Sequence, residues 1–200
     1  MNIQVVSPVT RVGFMGPHGT FTEQALLSQK DLAAADTQPF DSIPDVLNGL
    51  ITSEVDLGFV PIENAIEGAV NVTQDALAFD LDLRIQREVV LDVQLNLLAL
   101  PGTQLNDIHT VVSFPVAVAQ CRNFLRDQLP EAEIQAATST AEAARHVGEQ
   151  SLEGVATISN PLAAELYGLE AVAEAVEDHT GNQTRFLLLA REGVPVATGH

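Results

Sequence analysis

The run Val55-Asp56-Leu57-Gly58-Phe59-Val60-Pro61-Ile62 is apolar on both of its alternating faces. A half-exposed strand would alternate apolar with polar. This one reads as a strand covered on both sides, as in a parallel sheet packed between helices. It stops at Glu63-Asn64. Ligands of open α/β sheets sit beyond the carboxyl ends of such strands, so these two residues fall at a candidate site.

The flanking sequence supplies the covering helices. Residues 11–15 read as a strand, and Gly16-Pro17-His18-Gly19 as a loop. Thr20-Phe21-Thr22-Glu23 forms a capping box that opens a helix. The loop at 16–20 is either an anion-binding turn or a plain cap. Residues 36–40 give a second strand. Ser42 then starts a helix with Pro44 in its first turn and Ile43, Val46, Leu47, Leu50 and Ile51 at helical spacing. A helix over 68–79 follows, with Val70, Thr73, Leu77 and Ala78 inward. Residues 83–100 read as one or two strands, interrupted near Asp92-Val93-Gln94.

The alternation continues with strands at 110–113, 132–136 and 154–158 and helices over 115–127, from 138–140 onward, and from the Asn160-Pro161 cap to Gly168. An extended segment at 169–176, a last strand at 184–190 and a tail over 191–200 complete the chain. Sustained alternation with crossover-length helices predicts an α/β fold. The expected form is two lobes of mixed or parallel sheet with flanking helices, residues 1–80 plus 177–200 and residues 81–176, with the site in the cleft between them.

Charge narrows the chemistry. The chain carries 27 acids against 9 Lys plus Arg, a formal net charge of −18, which disfavours nucleic acid and anionic membranes as partners. A small anion can bind only where helix N-termini or one of the few cations create a local exception. Those cations are Lys30 and arginines 11, 84, 87, 122, 126, 145, 185 and 191. The lone Cys121 rules out an internal disulfide, and its helical spacing with Val118 and Leu125 suits a small core residue. The five histidines show no metal-ligand spacing, and no nucleotide-binding loop or nucleophile elbow is present. No apolar run spans a bilayer and the N-terminus lacks signal-peptide features, so a cytoplasmic protein is expected.

What remains is a set of hydroxyls and amides at strand ends and helix starts: Thr20, Asn64, Ser113, Thr138, Ser139, Thr140 and Thr184, with Arg185 beside the last. Neutral donors and one guanidinium suit a small polar anion. Arg185 either grips a carboxylate in bidentate fashion or pairs with Glu177 or Asp178.

Several stretches resemble the prephenate dehydratase family: residues 12–26 around Gly-Pro-His-Gly-Thr-Phe, residues 56–70 around Pro-Ile-Glu-Asn, 138–144, 163–169 and Asn182-Gln183-Thr184-Arg185-Phe186. They occur in the family's order across nearly the whole chain. The resemblance implies two lobes like those of type II periplasmic binding proteins. It also implies a cofactor-free lyase, making phenylpyruvate, water and carbon dioxide from dianionic prephenate in phenylalanine biosynthesis. In the family the threonine of the Thr-Arg-Phe motif is essential. It maps onto Thr184, as donor to the departing hydroxyl. Asn64, Ser113 and Gln120 match further active-site positions. Arg185 is implied as a carboxylate clamp, with Gly19, Thr20, Ser139, Thr140 and Phe186 at the substrate and Glu63 orienting Asn64 or Arg185.

Two departures stand out. Ser113-Phe114-Pro115-Val116 replaces the family's usual Ser-His-Pro-Gln, and the sequence stops about ten residues after the Thr-Arg-Phe strand, without the regulatory ACT domain of most members. A homodimer or higher homo-oligomer is the expected assembly. Prephenate decarboxylase, arogenate dehydratase and a non-catalytic anion-binding module are the alternatives.

Overall fold

The computed structural model describes residues 10–193. The elements in chain order are β1 (Arg11–Met15), α1 (Phe21–Leu27), β2 (Asp36–Phe40), α2 (Ile43–Ile51), β3 (Leu57–Asn64), β4 (Gly68–Ala69) and α3 (Asn71–Asp75). A π-helical turn (Ala76–Asp80), β5 (Leu83–Asp92), β6 (Asn96–Ala99), a 3₁₀ turn (Leu105–Asp107), β7 (Thr110–Ser113), α4 (Pro115–Gln120) and α5 (Arg122–Gln128) follow. β8 (Glu133–Ala136), α6 (Thr140–Glu149), β9 (Val155–Ser159), α7 (Pro161–Tyr167), β10 (Glu170–Ala173) and β11 (Gln183–Arg191) complete the order. Among the described residues no helix is long and apolar enough to cross a membrane.

The chain divides into two compact units. Within the described residues the first comprises 10–17, Phe21–Asp92 and 182–193, and the second His18–Thr20 and Val93–Gly181. The first crossing therefore falls after Asp92 rather than near 80, because β5 pairs along its length with β11. The interruption expected near Asp92-Val93-Gln94 is where the chain passes from the first sheet to the second. The return falls at Asn182 rather than 177, since Val176 and Glu177 bond to the backbone of Leu95.

In the first unit a six-stranded sheet has the order β2-β1-β3-β11-β5, with β4 attached to β3. The pairs β1–β2 and β1–β3 are parallel, while β11 runs antiparallel to both its neighbours, so the sheet is mixed. β3 is buried on both faces as its sequence requires. Leu57 and Phe59 pack with Val12, Phe14, Ala25 and Leu26 on the α1 side, and Val60 packs with Val46, Leu47 and Leu50 on the α2 side. β11 alternates likewise, Phe186 and Leu188 toward the first cluster and Leu187 and Leu189 toward the second. Ser42 caps α2 by accepting from the Asp45 N–H at 3.3 Å, and of its expected inward residues only Ile51 is exposed.

The segment expected to be one helix over 68–79 is broken up. Asn64 Oδ1 accepts from the backbone N–H groups of Ile66 and Glu67, which turns the chain back so that Gly68–Ala69 pairs with β3. The buried Thr73 hydroxyl donates to the Pro61 carbonyl at 2.7 Å, holding α3 against the same strand.

The second unit has the order β10-β6-β9-β7-β8. Parallel pairing is confined to β7–β8 and β7–β9, and β6 lies antiparallel to β9 and β10. The alanine-rich face of α6 (Ala141, Ala144 and Val147) is fully buried, with Ala144 and Val147 packed against Leu98 and Ala163. Asn160 caps α7 at the Ala163 N–H, and α7 ends at Gly168 with φ 66°. The helix expected over 115–127 is two helices meeting at Cys121. There the Gln120 carbonyl accepts from the Asp178 N–H at 2.6 Å and the Asp178 carboxylate accepts from the Asn123 N–H at 3.0 Å, diverting groups a continuous helix would use.

Arg87 on β5 holds Asp31 through two hydrogen bonds of 2.9 and 2.7 Å, tying an outer strand to the loop after α1. The guanidinium keeps the Asp31 carboxyl below the usual carboxylate range. The pair is therefore at full strength above about pH 4, the unfolded value for aspartate, and is lost as pH falls through the lower folded value. Asp31→Asn should cost about 1–2 kcal/mol at neutral pH in urea melts, and the difference from the parent should vanish in strong acid.

Phe186 is 1% exposed and its ring stacks on Phe59 at 5.4 Å and 10°. It is a core residue, out of reach of the substrate contact expected for it. Phe186→Ala should cost roughly 3–5 kcal/mol of stability in denaturant melts, whereas Phe186→Leu should fold and leave ligand affinity unchanged.

Candidate active site

The pairing of β3 with β11 builds the centre of the site. Thr184 lies opposite Asn64 and Arg185 opposite Glu63, bringing together residues more than a hundred positions apart. The Ala65 N–H donates to the Gln183 carbonyl at 2.8 Å, and Gln183 Nε2 donates to Asp92 Oδ1 at 2.7 Å, which anchors the start of β11 on both sides.

Asn64 is fully engaged. Its Oδ1 accepts from Ile66 N and Glu67 N, both at 2.9 Å. Its Nδ2 donates to Asn182 Oδ1 at 2.9 Å and to Thr184 Oγ1 at 2.8 Å. The two backbone donors fix which end of the amide carries oxygen, so the bond to Thr184 runs from Asn64 to the hydroxyl. Thr184 is half-buried, and its hydroxyl makes no donated bond among the described residues. A hydroxyl that accepts on one side keeps its proton for an acceptor on the other.

Arg185 faces the other way. Neighbours on a strand point to opposite faces. Thr184 shares a face with Phe186 and with Leu91, which packs on the α1-side core, while Arg185 shares one with Leu187 on the α2 side. The partners agree: Arg185 donates to Glu63 Oε2 at 2.8 Å and Glu88 Oε2 at 2.6 Å, and these carboxylates hold the guanidinium above its ordinary pKa, Glu88 first. The ion-pair partners are thus Glu63 and Glu88 rather than Glu177 or Asp178. Glu63 is ion-paired with Arg185, and the structure does not bring Arg185 to the Thr184 hydroxyl.

The other expected residues lie in the second unit. Gly19 adopts φ 85°, a conformation that favours glycine, and a Cβ there would meet Tyr167 at 3.0 Å. Asn160 Nδ2 donates to the Gly19 carbonyl at 2.9 Å and the Tyr167 hydroxyl donates to the His18 carbonyl at 2.6 Å, so α7 holds this loop from two points. Thr20 is buried beside it. Ser139 caps α6, accepting from the Glu142 N–H at 3.0 Å, and Thr140 is the first residue of that helix. Gln120 ends α4, half-buried. Ser113 is fully buried and donates its only hydroxyl proton to the Ile158 carbonyl at 2.8 Å, which makes it part of the sheet rather than an exposed donor. Phe114, in place of the family's histidine, is 39% exposed at the start of α4.

The sequence does not single out Asn182, Asn160 and Tyr167 as site residues. Asn182 is visible there only as part of the Asn-Gln-Thr-Arg-Phe stretch, and Asn160 only as a helix cap. In Asn160 the oxygen caps the helix while the nitrogen reaches Gly19, and Asn182 accepts from Asn64 across 118 positions of sequence. The Cys121 thiol is buried, and burial with Glu177 and Asp178 nearby pushes its pKa up to about 12, so it is inert as a nucleophile.

Comparison with known proteins agrees with the motif pattern. Residues 12–194 match the profile described as "Prephenate dehydratase". A prephenate dehydratase of Mycobacterium bovis (strain BCG / Pasteur 1173P2) is 38% identical over 197 residues, covering 94% of this chain and 61% of the relative. The crystal structure of an Arthrobacter aurescens prephenate dehydratase, in complex with L-Phe, superposes with a TM-score of 0.83 at 37% identity, over 92% of this chain and 60% of that one. A protein described as a novel type of quorum-quenching acylase superposes with a TM-score of 0.80 at 27% identity, over 95% of this chain and 66% of that one. The chain thus spans 61% of the length of the curated relative it matches. With the profile covering all but the ends of the chain, and with the Thr-Arg-Phe strand paired to the Glu-Asn strand, the chain belongs to the prephenate dehydratase family.

Proposed function

We propose that the chain catalyses the decarboxylative dehydration of prephenate to phenylpyruvate, water and carbon dioxide, with Thr184 as proton donor to the leaving hydroxyl. Beyond family membership, one observation carries this reading. Thr184 Oγ1 accepts from Asn64 at 2.8 Å, which directs its own proton outward. In the reaction the bond from the ring to its carboxylate breaks and that electron pair enters the ring. The carbon–oxygen bond to the hydroxyl breaks in the same sense, and the departing oxygen takes a proton to become water. No electrons are gained or lost overall, so the stoichiometry requires no redox partner. A threonine hydroxyl is a weak acid. Donation from Asn64 polarises its O–H bond further, and aromatisation supplies the driving force.

Gly19, Thr20, Ser139 and Thr140 keep their substrate-binding assignment, and Gln120 its catalytic one, as part of this proposal. Arg185 is reassigned as a structural ion-pair centre. The same reading makes the protein a cytoplasmic enzyme of phenylalanine formation, acting as a homodimer or higher homo-oligomer. A scaffold shared with a protein named as an acylase shows that fold alone does not choose the chemistry.

Incubation with prephenate, followed by ultraviolet detection of phenylpyruvate, tests the reading. Thr184→Ala should lower turnover by about 10²-fold or more, and Thr184→Ser should retain most of it. Near-normal turnover in Thr184→Ala would overturn the assignment, and a conjugated, non-aromatic product would identify a decarboxylase instead. Parallel assays with arogenate decide between the two substrates, which differ by an amine for the ketone. Arg185→Gln leaves Glu63 and Glu88 facing each other without their cation, so it should lower the melting temperature while changing KM less than about threefold.

A further inference from the structure

We infer that Asn182 is a positioning residue that acts on Thr184 through Asn64 and keeps the Thr184 hydroxyl a proton donor. The inference rests on the reading of Thr184 as the donor. Asn64 has one carbonyl oxygen and two amide hydrogens. The oxygen is held by Ile66 N and Glu67 N, one hydrogen reaches Asn182 Oδ1 at 2.9 Å, and the other reaches Thr184 Oγ1 at 2.8 Å. No hydrogen of that amide is left for a substrate, so Asn64 serves the reaction through Thr184 rather than by touching the reactant.

The two backbone donors hold the oxygen end of the amide, and the amide plane keeps a limited swing about the Cβ–Cγ bond within the tolerance of those two hydrogen bonds. Asn182 Oδ1 is the second anchor. With the amide held at both ends, its remaining N–H points at Thr184 Oγ1. Asn182 is 4% exposed, so water does not readily replace that acceptor. Without it the amide plane swings, the N–H bond to Thr184 Oγ1 weakens, and the hydroxyl proton loses its fixed direction. The position of Asn182 follows from the fold. It immediately precedes Gln183, whose carbonyl accepts from Ala65 N at 2.8 Å, the residue after Asn64.

The test is a double-mutant cycle on the full chain, measuring kcat and KM for prephenate together with the melting temperature. Asn182→Ala should lower kcat about 10-fold with KM nearly unchanged, and should have less than about a twofold effect when introduced into Asn64→Ala, because the route to Thr184 is then already cut. Additive losses in kcat, or an unchanged kcat in Asn182→Ala, would overturn the inference. A second variant stands independently of the folding of Asn182→Ala. Asn64→Asp replaces the donor with a carboxylate that captures the Thr184 proton. Its kcat should fall below that of Asn64→Ala at neutral pH and recover as pH falls through titration of the introduced carboxyl. A flat profile, or an Asn64→Asp enzyme as active as Asn64→Ala, contradicts the proposed polarity. Full activity in Thr184→Ala, by contrast, defeats the reading of Thr184 itself, so the two failures are distinguishable.

Discussion

The antiparallel pairing of β3 with β11 is the interaction on which the first unit depends. It joins residues 57–64 to 184–190, and so closes a loop that contains most of the second unit. Closing such a loop carries an entropic cost, growing slowly with its length, that the pairing itself must offset. The apolar content of both strands does so. Leu57, Phe59, Phe186 and Leu188 bury one face and Val60, Leu187 and Leu189 the other, and the Phe59–Phe186 stack sits at the centre. Without that two-sided core, Thr184 and Asn64 would have no reason to meet.

The same pairing divides labour between the faces of one strand. Thr184 and Asn64 lie on the side of the α1 core, where a hydroxyl is held by an amide whose other bonds are all internal. Arg185, Glu63 and Glu88 lie on the α2 side, where one cation separates two acids in a protein of net charge −18. In so acidic a chain an arginine near a site is drawn first to protein carboxylates, and a substrate anion would compete with partners already in place. Neutral donors suffer no such competition. On the proposed reading of the site, amides and hydroxyls suit a substrate anion better than a guanidinium already held by protein carboxylates.

Much of the fold is legible in the sequence. The Ser42 and Asn160 caps and the Gly168 stop appear where the sequence places them because each depends on interactions within a few residues, and the apolar run at 55–62 supplies most of β3 because only burial on both faces suits it. The differences arise where a distant group intervenes. Residues 68–79 carry the pattern of one helix, but the Asn64 turn and the Thr73–Pro61 bond impose a strand, a helix and a π-turn. The helix at 115–127 breaks because Asp178, far away in sequence, takes its backbone groups near Cys121. A unit boundary near 80 leaves out β5, whose partner is the last strand of the chain.

For the site, the sequence by itself determined which residue types were on hand: a motif-borne threonine, an asparagine at a strand end, and few cations. It also determined the family, since short motifs in a fixed order need no geometry to be recognised. Only the tertiary structure decided direction. It set Thr184 and Arg185 on opposite faces because side chains alternate along a strand, withdrew Ser113 and Phe186 into the interior, and brought Asn182 to Asn64. A sequence names donors and acceptors. The direction in which a hydrogen bond runs depends on every partner around the amide, and those partners come from parts of the chain that only folding brings together.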